Sequence, residues 1–101
     1  MRTDLAQSHR EPDRTVQLFD LLSDETRFRI VDELYQTTDH SVRFSDLSRR
    51  IEADDPGRFN YHLKRLQGQL VEKVDTGYRL SDEGHRIADA IFGVVPTSRG
   101  D

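Results

Sequence analysis

The chain has 101 residues, no cysteine and a formal net charge of -4, with hydrophobic and charged residues each making up 34%. A chain this short builds one domain at most, and the absence of cysteine excludes a disulfide framework and any thiolate metal site. The opening MRTDLAQSHREPDR has no apolar signal core and no run is long enough to span a bilayer, so a cytoplasmic protein is expected.

Residues 1–14 are polar and aperiodic and are expected to form a flexible arm. From Thr15 the pattern turns helical, with Val16, Phe19 and Leu22 on one broad face and Leu18 and Leu21 beside them. Ser23 and Asp24 then offer N-cap oxygens to a second helix, ETRFRIVDELY, whose Ile30, Val31 and Leu34 have the spacing of a buried stripe. After the polar break TTDHSV, Val42 and Phe44 alternate with Arg43, which predicts a short edge strand. Ser45 is the expected cap of a third helix, DLSRRIE, with Leu47 and Ile51 as an i, i+4 pair.

Asp55 and Pro56 open the fourth helix, Asp55 as N-cap and Pro56 at the first helical position, where a missing N–H costs nothing. In its segment GRFNYHLKRL, Phe59, Leu63 and Leu66, followed by Leu70, recur at helical spacing, which turns them inward. Arg58, Tyr61, Lys64 and Arg65 are left on the other faces. The period then falls to two in LVEKVDTGYRLS, a β-hairpin turning at Asp75-Thr76-Gly77 with glycine where a positive φ is needed. Ser81 caps the last helix, DEGHRIADAIF, with Ile87, Ala88, Ile91 and Phe92 on one stripe, and 94–101 form an aperiodic tail. Helix, helix, short strand, helix, helix, hairpin, helix is a mainly α fold with a small β-hairpin, the plan of a winged helix-turn-helix over residues 15–93.

On these residues a resemblance can be placed. LLSDETRFRIVDEL resembles the first helix of the DNA-binding domain of ArsR-type winged helix-turn-helix regulators, FNYHLKRL resembles their recognition helix, and GYRLSDEG is similar to their wing strand entering the final helix. The similarity covers about Val16 to Phe92 and lies nearest to archaeal ArsR-like regulators. In that family glycine usually stands directly before the Leu-Val of the wing, whereas here Gln69 holds that place and the glycine is Gly68. Either the helix ends one residue early or Gln69 bears the strain itself. The resemblance implies a transcriptional regulator without catalysis, its terminal helices forming a homodimer.

Charge supports the same placement. Residues 1–40 carry five arginines against nine carboxylates, residues 41–79 eight basic against six acidic residues, and residues 80–101 two against four. Positive charge is therefore confined to the segments that would dock on a duplex. The expected recognition helix covers residues 56–67, entering the major groove, and the wing residues 71–80, on the backbone. Arg58, Asn60 and Tyr61 are the candidates for base readout, since an amide suits adenine and a guanidinium guanine. Lys64, Arg65, Arg49 and Arg50 are candidates for phosphate contacts, and Lys73 and Arg79 for the sugar-phosphate backbone or minor groove. His62 is a further DNA-contact candidate, with a buried, hydrogen-bonded histidine as the equal alternative. The expected dimer interface comprises Val16, Phe19, Leu22, Ile87, Ile91 and Phe92. The partners are thus double-stranded DNA and a second copy of the chain, and the competing class is a winged-helix module for protein–protein interaction.

Asp82, His85 and Asp89 fall at i, i+3 and i+7, an O/N set that could ligate zinc or nickel across a dimer. The same spacing marks the exposed face of an ordinary amphipathic helix, so no metal and no cofactor is expected. No phosphate-cradling glycine loop and no nucleophile with a base is present in the sequence, and no enzymatic activity is expected. Lys64 and Lys73 are the only lysines and aspartate outnumbers glutamate, a balance resembling proteins of high-salt cytoplasms.

Overall fold

The computed structural model of the chain describes residues 10–93. They form five helices and one antiparallel hairpin: α1 (Arg10–Leu22), α2 (Glu25–Gln36), α3 (Phe44–Arg50), α4 (Pro56–Leu66), β1 (Val71–Val74), β2 (Gly77–Leu80) and α5 (Asp82–Phe92). No helix among these residues is long and apolar enough to cross a membrane. Residues 1–9 of the arm expected over 1–14, and the tail over 94–101, lie outside the described residues, while residues 10–14 of that arm are helical.

Helix α1 already includes Arg10, five residues ahead of the predicted Thr15. Leu18 and Leu21 are buried, while Val16 and Phe19 remain 63% and 66% exposed. Asp24 caps α2 as expected, its carboxylate accepting from the N–H groups of Thr26 at 2.8 Å and Arg27 at 3.1 Å. Ser23, the other candidate cap, instead donates its hydroxyl to the Asp20 carbonyl, closing the end of α1.

The third helix departs from expectation. It begins at Phe44 after Arg43, which makes no side-chain capping bond, so Ser45 lies inside the helix and Phe44 outside any strand. Phe44 and Leu47 share a helical face, and the Phe44 ring meets Phe59 edge-on at 5.0 Å. Packing of an aromatic pair outweighs a two-residue alternation. The predicted edge strand shrinks to one antiparallel bridge, Val42 to Tyr78, with N–H···O distances of 2.9 and 2.8 Å. Helix α3 ends in a Schellman motif: Ala53 N–H reaches the Ser48 carbonyl and Glu52 N–H the Arg49 carbonyl, with Glu52 in the left-handed region at φ 57°.

Asp55 caps α4 through Arg58 N–H at 3.1 Å, and Pro56 stands in the first turn. Of the two alternatives for its end, the first holds: the helix stops at Leu66, and Gly68 takes the positive φ of 82° while Gln69 does not. The hairpin pairs Val71 with Leu80, Glu72 with Arg79, Lys73 with Tyr78 and Val74 with Gly77. Gly77 is needed for more than its φ of 144°, since a Cβ there would stand 2.5 Å from the Val42 carbonyl oxygen. Ser81 caps α5 at Gly84 N–H, and its own N–H and hydroxyl bond the Leu70 and Gln69 carbonyls.

Helix α2 is central, packing against α1, α3, α4, α5 and β2. Ile30, Val31, Leu47, Phe59, Leu63, Leu66, Leu70 and Val71 are essentially solvent-free around it. Each large side chain of this set contributes about 1.5–3 kcal/mol by leaving water. Leu22, Ile87 and Phe92 pack partly against the same core, Phe92 between Phe28 at 5.2 Å and Tyr35 at 5.6 Å. The core therefore covers much of what was assigned to a dimer contact, and among the described residues the apolar side chains it leaves most exposed are Val16 and Phe19.

Candidate nucleic-acid interface

The inner face of α4 is anchored by Phe59, His62, Leu63 and Leu66, all buried. This fixes which side chains face outward. Arg58, Tyr61, Lys64 and Arg65 are exposed, Tyr61 at 54%, and Asn60 is half-buried beside them. Arg58 and Lys64 make no ion pair with any described residue. Arg65 is held in place: it donates to the Tyr61 hydroxyl at 3.2 Å, lies 6.0 Å from that ring's centroid and is 3.6 Å from the Asp20 carboxylate. The Tyr61 contact first, and Asp20 in smaller measure, hold its guanidinium more firmly in the charged form.

The other cationic candidates divide. Arg49 is well exposed and, among the described residues, pairs only with its neighbour Asp46 at 2.9 Å, an exposed contact worth roughly 0–1 kcal/mol that a phosphate could displace. Arg50 is committed elsewhere, bound to Asp39 at 3.0 Å, Thr37 at 3.2 Å and Glu33 at 3.4 Å, so that it ties α3 to the end of α2. Arg79 is likewise engaged, donating to Glu72 at 2.6 Å across the hairpin and to His40 at 2.9 Å. Lys73 is exposed on β1, 5.9 Å from the centroid of the Tyr78 ring. The exposed basic surface of α4 is thus the principal cationic feature, with Arg49 and Lys73 as flanking charges.

Of the two alternatives for His62, the buried, hydrogen-bonded one holds and the DNA contact does not, for the side chain is 6% exposed on the inner side of α4. Its Nδ1 accepts from the Arg27 guanidinium at 2.8 Å, and its Nε2 lies 3.7 Å from the Asp24 carboxylate. Arginine has no acceptor, so Nδ1 must be the bare nitrogen and Nε2 the protonated one. Burial lowers the His62 pKa first, Asp24 opposes this, and the charges of Arg27, Arg58 and Arg65 lower it further, with a net shift below the ordinary value of 6.5. Desolvation acts to raise Asp24, but the Arg27 N–H, the His62 side chain, the Thr26 N–H and the Arg27 charge outweigh it and leave its pKa below 3.8.

Sequence reasoning missed Arg27, which is 7% exposed and donates also to the Leu21 carbonyl at 2.7 Å and the Asp20 carbonyl at 3.3 Å. The signal was present: Arg27, Ile30, Val31 and Leu34 occupy i, i+3, i+4 and i+7, which places the arginine on the buried stripe. Arg43 was also unassigned, an exposed arginine with no ion pair to a described residue, standing where the Gly77 backbone approaches α3.

On the last helix, Asp82, His85 and Asp89 do not converge. Asp89 accepts from the Tyr35 hydroxyl at 2.7 Å, an α2–α5 link that raises the tyrosine's pKa, and no group of three potential ligands forms a metal site among the described residues. His85 and Asp82 instead line an open cleft of about 440 Å³ with His40, Glu72 and Arg79.

Fold and surface together define a small helical domain with a β-hairpin, presenting one basic, aromatic helix face. Residues 15–91 match the model of a family described as a domain of unknown function (DUF7347), and the chain belongs to that family. It is similar to the uncharacterized protein MJ0905 of Methanocaldococcus jannaschii, 30% identical over 79 residues, covering 64% of this chain and 71% of that protein. No solved structure matches the chain.

Proposed function

We propose that the protein is a sequence-specific, double-stranded-DNA-binding transcriptional regulator of the winged helix-turn-helix type, acting as a cytoplasmic homodimer and without catalysis. The observation that carries this reading is α4: its apolar face is fastened to the core while Arg58, Tyr61 and Lys64 stand exposed and Arg65 is held beside Tyr61. In this reading α3 and α4 are the helix-turn-helix and β1–β2 is the wing. Arg58, Asn60 and Tyr61 then read base edges, and Lys64, Arg65, Arg49 and Lys73 meet phosphates, Arg49 after leaving Asp46. Val16 and Phe19 on α1 supply the dimer contact, setting two α4 helices about 34 Å apart on a palindromic site.

The net charge of -4 favours the competing reading, a winged-helix module that docks on protein. A binding assay separates the two. Duplexes selected from a random pool are titrated with wild type and with Arg58→Ala plus Lys64→Ala, at several salt concentrations including molar salt, where the Debye length is only about 3 Å. Removing one base contact and one phosphate contact is expected to weaken binding by roughly tenfold or more and to lower the salt slope by about one. Unchanged affinity in the double variant, or no duplex recovered by selection, rejects the assignment.

A further inference from the structure

We infer that Arg27 is a positioning residue that fixes α4 through the bare Nδ1 of His62, and that a proton taken up by this nitrogen re-seats α4 and lowers affinity for DNA. The DNA part rests on the function proposed above; the movement of α4 does not.

The geometry leaves the proton no place on Nδ1. That atom stands 2.8 Å from Arg27 Nη1, and a second donor there would face a first, cation against cation, with no lone pair between them. Arg27 cannot retreat freely, because the same guanidinium closes the end of α1 on the Leu21 and Asp20 carbonyls. Among the described residues, the groups that face His62 come from α4, α2, the α1–α2 junction and α1. From α4 come Arg58, Arg65 and the Tyr61 ring at 5.1 Å; from α2 comes Arg27; from the α1–α2 junction comes the Asp24 carboxylate at 3.7 Å; and Asp20 of α1 holds Arg65. One carboxylate faces three guanidinium groups.

A protonated ring would therefore turn away from Arg27 and toward Asp24, and α4, which carries it, would shift on its apolar anchors Phe59, Leu63 and Leu66. The sign follows from the pKa. The bound state of His62 is the neutral one, so the contact is intact above 6.5 and is lost as pH falls through the lower folded value. This runs against the ordinary expectation, in which added protons strengthen binding to phosphates.

The test uses the whole chain, uniformly ¹⁵N-labelled, with wild type compared with His62→Gln, which keeps an acceptor for Arg27 and does not titrate. The wild-type ring spectrum at neutral pH should show an unprotonated Nδ1, a readout that needs no variant. Between about pH 7.5 and pH 5, the α4 amides of wild type should shift with the His62 titration and those of His62→Gln should not. Over the same range at constant salt, affinity for a selected duplex should fall roughly tenfold in wild type and less than about threefold in the variant. A protonated Nδ1 at neutral pH, α4 amides indifferent to the His62 titration, identical pH profiles in the two proteins, or an affinity that rises on acidification each overturns the inference. Amides that move as described in a protein binding no duplex leave the α4 device standing and reject the DNA reading instead.

Discussion

Replacing Arg27 with methionine keeps most of the side-chain volume and removes all three bonds of the guanidinium. The bond to the Asp20 carbonyl is the longest, at 3.3 Å and only part-buried, so it contributes least. The Leu21 carbonyl at 2.7 Å and His62 Nδ1 at 2.8 Å are then left buried without a donor. A buried acceptor without a partner costs about 1–3 kcal/mol, while release of a buried charge from its desolvation cost returns part of this. The expected loss is therefore roughly 2–4 kcal/mol, or about 10–25 °C in Tm for a domain of this size. Urea unfolding followed by circular dichroism, at constant salt and near neutral pH, measures it. His62→Phe removes the other partner, and the double variant, with both sites apolar, should be more stable than the sum of the single losses by about 1–2 kcal/mol. A loss below about 1 kcal/mol for Arg27→Met, or additivity within about 0.5 kcal/mol, would refute the claim that these two side chains act as one buried unit.

Three further outcomes can be checked on the same unfolding curves. Gly84→Ala places a methyl group on the Leu70 carbonyl oxygen, and despite the better helix propensity of alanine it should destabilise by about 3 kcal/mol; a neutral variant would mean that α5 packs less closely. Glu52→Gly relieves the left-handed residue that ends α3 and should stabilise by about 0.5–1 kcal/mol, whereas a loss would show that the Glu52 side chain has a role beyond its backbone. Asp24→Asn keeps a capping oxygen but not the charge. Because the folded pKa of Asp24 lies below 3.8, wild type should exceed the variant in stability above that value and converge with it as pH falls through the folded pKa; a gap independent of pH would contradict this.

What could be read from the sequence was what local chemistry decides. Asp55-Pro56 starts α4 wherever the rest of the chain goes, and Gly68 and Gly77 mark the positions whose φ values only glycine adopts at no steric cost. The inward stripe of α4 followed from spacing alone. The errors arose where a short pattern met a longer-range contact: Val42 and Phe44 alternate, yet the Phe59 ring draws Phe44 into a helix. Pro12 and the charged residues beside it in sequence hid the part of α1 that precedes Thr15. Of the candidate interface, exposure of Arg58, Tyr61 and Lys64 was legible. The commitments of Arg50 and Arg79 were not, since each depends on partners in other elements. The pairing of Arg27 with His62 spans 35 positions, and no periodicity within either helix encodes a partner at that range.

The backbone of Leu70 has mechanical consequences for the elements around it. Its N–H is tied to the Leu66 carbonyl at the end of α4, its carbonyl receives the Ser81 N–H, and Gly84 lets the α5 backbone rest on that same oxygen. The two peptide groups flanking one α-carbon are therefore the point at which α4, the hairpin and α5 meet. A load applied to α5, by a second copy of the chain or by any other protein, reaches the basic helix through the backbone hydrogen bonds of one residue in the turn between α4 and β1.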